Sequence, residues 1–170
     1  MSTLRLATLV LLGSALPAPG PGLPAPAADG CVVARVVDGD TLHCRDGRRV
    51  RLIGIDSPER GQGESAGLAR NALIRLLPAG GAVRLELDLV GTDRYGRVLA
   101  YVWVGRSLLN ERLVREGWAV LYTVPPNVKY ADRIARAQKE ARARRAGLWG
   151  TGGFNCLPKA YRRGACVSPP

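Results

Sequence analysis

At 170 residues the chain has room for one domain and short flanking pieces. Hydrophobic residues at 46% permit a real core, but aromatics at 5% exclude an aromatic-rich one, so Val, Leu, Ile and Ala must build it. A formal charge of +11 and a pI near 10.4 attract polyanions, nucleic acid first and an anionic membrane surface second, although the same charge also serves solubility alone.

Residues 1–27 read as an export signal. Arg5 gives a short positive start, and Leu6 to Leu16 is apolar apart from Thr8, Gly13 and Ser14. A Pro/Ala/Gly stretch follows, in which Ala25-Pro26-Ala27 fits the small-residue cleavage rule, with Ala28 a near-equal choice. The apolar run is too short to span a bilayer as a mature helix. A secreted or cell-envelope protein is therefore expected, with its folded domain over 31–150 and a tail over 151–170. Cys31, Cys44, Cys156 and Cys166 then form an even set in an exported chain, which suggests two disulfides. Three pairings are possible, and sequence proximity favours Cys31–Cys44 with Cys156–Cys166. There is no CxxC and His43 is the single histidine, which argues against structural zinc.

Val32 to Val37 is rich in β-branched residues and meets Asp38-Gly39-Asp40-Thr41, after which apolar residues resume at Leu42. This predicts a hairpin whose Asp-Gly supplies a positive φ. Asp46-Gly47 is a second such turn, leading into a strand over Val50 to Ile55 with a polar position at Arg51. Ala66, Ala69, Leu73, Ile74 and Leu77 repeat at helical spacing and predict a helix over 62–77, stopped by Pro78-Ala79-Gly80-Gly81. Alternation of Val83, Leu85, Leu87 and Leu89 with Arg84, Glu86 and Asp88 predicts a strand with one wet face. The Asp93 to Gly96 turn feeds a fifth strand over 97–104. Ser107 is placed to cap a short helix carrying Leu109 and Leu113 and ended by Gly117. A third helix is expected over 130–146, with Ile134, Ala137 and Ala141 on its apolar side and Arg133, Arg136, Lys139 and Arg142 among its basic residues. Those cations suit either contact with a nucleic-acid strand or a solvated face. Short strands with Gly-rich turns point to a small barrel.

The chemistry gathers in two loops. Asp38 and Asp40 share the first turn, while Asp56 and Glu59 end the third strand. Four carboxylates at one barrel end repel unless a cation sits among them, and hard oxygen ligands suit Ca²⁺ or Mg²⁺. Turn formation alone accounts for Asp38 and Asp46, but not for an acid that ends a strand. Arg51 inside an apolar strand and Arg97 after the Tyr95-Gly96 turn are suited to phosphate in bidentate fashion, or to structural ion pairs with the same acids.

These stretches resemble the staphylococcal nuclease (thermonuclease, micrococcal nuclease-like) family: VVDGDT at 36–41, VRLIGIDSPE at 50–59, DRYGRVLAYV at 93–102, LNERLVREGWA at 109–119 and GLW at 147–149, in family order. The resemblance implies an α+β OB-fold, a five-stranded β-barrel with three α-helices. It implies Ca²⁺ held by Asp40, Asp56 and the backbone carbonyl of Ser57, with Asp38 and Thr41 supporting these ligands from behind. It implies Glu59 as general base and Arg51 and Arg97 as phosphate-binding arginines. Tyr95 and Tyr122 are the expected substrate contacts, and Val124 falls where the family has a further tyrosine. The expected activity is an endonuclease (phosphodiesterase) acting on DNA or RNA without sequence preference and leaving 3′-phosphates, in a monomer with no stable protein partner. The rival reading is a non-catalytic nucleic-acid-binding module on the same barrel.

Overall fold

The computed structural model describes residues 29–166, so the export signal read over 1–27 and its cleavage point lie outside the described residues. In chain order the elements are β1 (Gly30–Val36), β2 (Thr41–Cys44), β3 (Arg49–Leu52), β4 (Gly54–Asp56), α1 (Glu64–Leu76), β5 (Ala82–Thr92), β6 (Val98–Val104), β7 (Ser107–Leu108), α2 (Leu109–Arg115), β8 (Val120–Tyr122), α3 (Ala131–Ala143), α4 (Leu148–Thr151) and α5 (Pro158–Arg162). Strands β1, β2, β3, β5 and β6 form the expected five-stranded barrel. The neighbours β3-β2-β1-β5-β6 pair antiparallel, and a parallel pairing of β3 with β6 closes the ring at Val50↔Val98, Arg51↔Leu99 and Leu52↔Ala100.

Alternation along β3 explains the inside and the outside of this barrel. Val50 and Leu52 are fully buried with Leu42, Val102 and Tyr101, while the intervening Arg51 must face the other way. The expected third strand is two strands. Ile53 breaks it, Gly54 takes φ 77, and β4 leaves the barrel to pair antiparallel with β8, Asp56 facing Val120 and Gly54 facing Tyr122. Buried Asn110 from α2 holds the break: its Nδ2 donates to the Ile53 carbonyl at 2.8 Å and its Oδ1 accepts from the Val102 amide at 2.9 Å. The neighbouring Glu111 accepts from Arg115 and Arg133, joining α2 to α3. Much of the LNERLV motif is thus scaffold.

Several boundaries differ from the sequence reading. In α1 the buried side is Ala66, Ala69, Ala72, Leu73 and Leu76, whereas Ile74 is largely exposed. In β5, Val83 and Leu85 enter the core but Leu87 and Leu89 are exposed, because the pairing with β6 shifts register between Leu87 and Thr92 as the strand outruns the barrel. Ser107 sits in β7, and Leu108 occupies the N-cap position of α2 with no side-chain bond. Ile134, Ala137 and Ala141 are buried on α3 as the periodicity predicts. Disulfides join Cys31 to Cys44 and Cys156 to Cys166. The tail carries two short helices beyond the expected three. Its Phe154 packs with Leu148 and Val120, fixing the segment to the body.

Gly39 does not provide the positive φ predicted for its turn. Its role is close approach. A Cβ there would lie 2.6 Å from the Ser57 Cβ and 2.8 Å from the Ala69 Cβ. Gly39→Ala is therefore expected to destabilise the fold by roughly 1–3 kcal/mol through overpacking, read as a lower denaturant midpoint with an unchanged slope.

Candidate active site

The first turn and the β3–β4 strand are stitched together at Asp40. The Leu52 amide donates to the Asp40 carbonyl at 2.8 Å, and the Ser57 amide donates to Asp40 Oδ2 at 2.7 Å. Thr41 Oγ1 donates to Asp40 Oδ1 at 3.2 Å, and the Asp40 amide donates to Asp38 Oδ1 at 3.1 Å. Asp38 and Thr41 thus act on Asp40 directly. Asp40 and Asp56 are both buried.

Arg51 joins them. Its Nη1 lies 2.8 Å from Asp40 Oδ1 and its Nη2 lies 3.2 Å from Asp56 Oδ1. The same two nitrogens donate to the carbonyls of Leu52 and Ile55. Both terminal nitrogens of Arg51 are thus engaged, whereas its Nε makes no hydrogen bond to a described residue. Arg51 makes, with both acids, the ion pairs that one of its two sequence alternatives expects.

Arg97 is held differently. Its Nε donates to Asp93 Oδ2 at 2.7 Å, and Asp93 Oδ1 accepts the amides of Tyr95 and Arg97. Burial works against the Asp93 charge, but these bonds outweigh it and keep the carboxyl below its ordinary range. Neither terminal nitrogen of Arg97 bonds a described residue, so its fork is free to meet a ligand. Its guanidinium carbon lies 5.7 Å from the centre of the Tyr95 ring.

Burial pushes the Asp56 carboxyl up, with the Asp40 charge adding to the push, while Arg162 and Arg51 pull it down. Burial and then Asp40 also raise Asp38. Desolvated carboxylates of this kind favour a cation among them.

Every candidate named from sequence, the cysteines apart, lines one cavity of about 910 Å³: Asp38, Asp40 and Thr41 from the first turn, Arg51, Asp56, Ser57 and Glu59 from β3 onward, Tyr95 and Arg97 from the β5–β6 turn, and Tyr122 from β8. Val124 also lines it. Arg97 is not paired with Asp40, Asp56 or Glu59; it faces them from the β6 side. Of the basic residues on α3, Arg133 is tied to Glu111.

The cavity has one more member, which sequence reasoning missed. Arg162 of α5 places Nη1 3.0 Å from Asp56 Oδ1 and Nη2 2.8 Å from Asp56 Oδ2, and its Nη1 also donates to Glu59 Oε1. The only signal in the sequence was a Tyr-Arg-Arg run inside the Cys156–Cys166 loop.

The cavity therefore combines two buried acids on one guanidinium with a second arginine whose terminal nitrogens bond no described residue. Residues 49–151 match the staphylococcal nuclease homologue family. The chain is 42% identical over 125 residues to a thermonuclease of Staphylococcus intermedius, covering 69% of this chain and 74% of that protein. It is 40% identical over 124 residues to a thermonuclease of Staphylococcus hyicus, covering 69% and 73%, and 33% identical over 133 residues to the endonuclease YncB of Bacillus subtilis (strain 168), covering 71% and 61%. By this match and these identities, the chain belongs to the staphylococcal nuclease family, and its enzyme class is that of the nucleases.

Proposed function

We propose that the protein is an exported, calcium-dependent nuclease that hydrolyses DNA, RNA or both without sequence preference and leaves 3′-phosphates. The observation that carries this reading is the pair Asp40 and Asp56, both buried and both on the Arg51 guanidinium, in a cavity that also holds Glu59 and Arg97. The donor set is all oxygen, with neither sulfur nor imidazole lining the cavity, which suits a hard divalent ion. Among the described residues no three His, Cys, Asp or Glu side chains converge tightly enough to complete a cage. A backbone carbonyl such as that of Ser57 and the substrate phosphate would therefore have to add ligands to the two aspartates. When bound, Ca²⁺ supplies Lewis-acid neutralisation of the phosphate charge.

In the residues' own chemistry, Glu59 takes a proton from the attacking water. The water oxygen bonds to phosphorus, the bond from phosphorus to the 5′ oxygen breaks, and the leaving oxygen takes a proton from solvent. Arg97 stabilises charge growing on the equatorial oxygens with its free nitrogens. Arg51 fixes both aspartates and presents its remaining Nε–H. The tyrosines Tyr95 and Tyr122 line the path of the adjoining nucleotides. The working domain is residues 31–150, and the described part of the tail, 151–166, is tied on through Phe154 and Gln62. Export is supported by the two disulfides, and no helix among the described residues is long and apolar enough to cross a membrane.

The test is direct. Purified protein incubated with single-stranded DNA or with RNA in Ca²⁺ should cut at least one of them and leave 3′-phosphate ends. A calcium chelator should stop the reaction, and salt should slow it by screening backbone contacts. Retarded but uncut DNA would instead identify a binding module.

A further inference from the structure

Arg162 covers the oxygens that the proposed reaction needs. Its two terminal nitrogens span both oxygens of Asp56, and one of them also meets Glu59, the residue assigned to take the proton. A divalent ion on Asp56 would approach these same oxygens to within ~2.4 Å. Two cations that close repel, so the ion and the guanidinium exclude one another from Asp56.

The tail is built to keep this arginine at hand. Cys156 and Cys166 close a loop around α5. Gln62 Nε2 donates to the Cys156 carbonyl at 2.8 Å, tying the loop's start to the segment just after Glu59. Tyr161 lies against Gly61 so closely that a Cβ there would be 2.0 Å from its hydroxyl. While holding these acids, the guanidinium carbon of Arg162 also stands 5.6 Å from the centre of the Tyr122 ring, which flanks it inside the cavity. A tethered group of this kind acts at high effective concentration.

We propose that Arg162 is a tethered competitor for the catalytic carboxylates: it holds Asp56 and Glu59 until a divalent ion takes Asp56 and displaces the arginine. The inference rests on the metal assignment made above, and it makes the disulfide-closed tail a threshold device that raises the calcium concentration at which the site fills.

The experiment is calorimetric titration of Ca²⁺ into the disulfide-intact protein without nucleic acid, so that the readout is binding and not turnover. Arg162→Ala should bind Ca²⁺ about tenfold more tightly than the wild type, the factor that corresponds to ~1.4 kcal/mol. Arg162→Lys, which keeps the charge but loses the two-pronged contact, should fall between them. Arg163→Ala makes the same charge change one residue away, on an exposed side chain with no ion pair among the described residues, and should shift affinity by less than about twofold because exposed charges are screened. Untethering the loop with Cys156→Ser and Cys166→Ser together should move affinity in the same direction as Arg162→Ala. Equal calcium affinity in wild type and Arg162→Ala overturns the competitor while leaving the nuclease reading intact, as does an equal shift from Arg163→Ala. No calcium binding in any variant overturns both.

Discussion

Glu59→Gln is expected to lower kcat by on the order of 10²–10⁴-fold, the share of a positioned general base, with KM little changed. Glutamine preserves the side chain's length and its ability to accept from Arg162, but it cannot take a proton from water. The loop should keep its shape, because the Glu59 backbone amide, which donates to Gln62 Oε1 at 2.9 Å, is untouched. Single-turnover cleavage of a short oligonucleotide at saturating Ca²⁺ measures the effect, and an unchanged thermal midpoint shows that the fold is intact. Turnover close to wild type would remove Glu59 from the proton-transfer role.

The second large effect separates two arginines that look alike in the sequence. Arg51→Ala should destabilise the protein by ~3 kcal/mol, because it strips a partner from two acids whose side chains are 8% and 2% exposed. The figure sits at the low end for a broken buried pair because the Ser57 amide remains on Asp40 and Arg162 remains on Asp56. Arg97→Ala should leave stability within ~1 kcal/mol, since its ion pair with Asp93 is partly solvated. It should instead lower kcat by about 10²–10³-fold, the usual loss when a donor to the transition-state oxyanion is removed. Denaturant midpoints and turnover measured side by side decide the matter. If the two variants lose stability and activity in the same proportion, the division of labour between clamp and phosphate donor is wrong.

Much of the fold was legible because its periodicities are strong. The Ile134, Ala137 and Ala141 stripe of α3 marks one face without ambiguity, and Arg51 between Val50 and Leu52 announces an outward position on a barrel strand. What escaped depends on distant partners. Ile74 and Leu76 are equally apolar, and only the packing of α1 on the barrel decides that Leu76 goes in. Leu87 and Leu89 continue a perfect alternation past the point where the barrel still has a wall for them. At Gly39 the residue was right and the reason was not: the constraint is a neighbour across the fold, Ser57, rather than a local dihedral. In the site, acids from two chain segments are visible as motifs. Arg162 stands 103 residues from Glu59 and belongs to no motif, so only the folded tail reveals the contact.

The parallel pair β3–β6 is the seam of the barrel, and it joins segments separated by nearly fifty positions of chain. Arg97 immediately precedes Val98, the first residue of that pair on β6, so the guanidinium reaches the aspartates' chamber only once the ring is shut. A growing polypeptide that has not yet delivered β6 possesses the acids but not the wall opposite them. Pairings between distant segments form slowly as a class, so the wall that carries Arg97 depends on the most demanding contact of the ring.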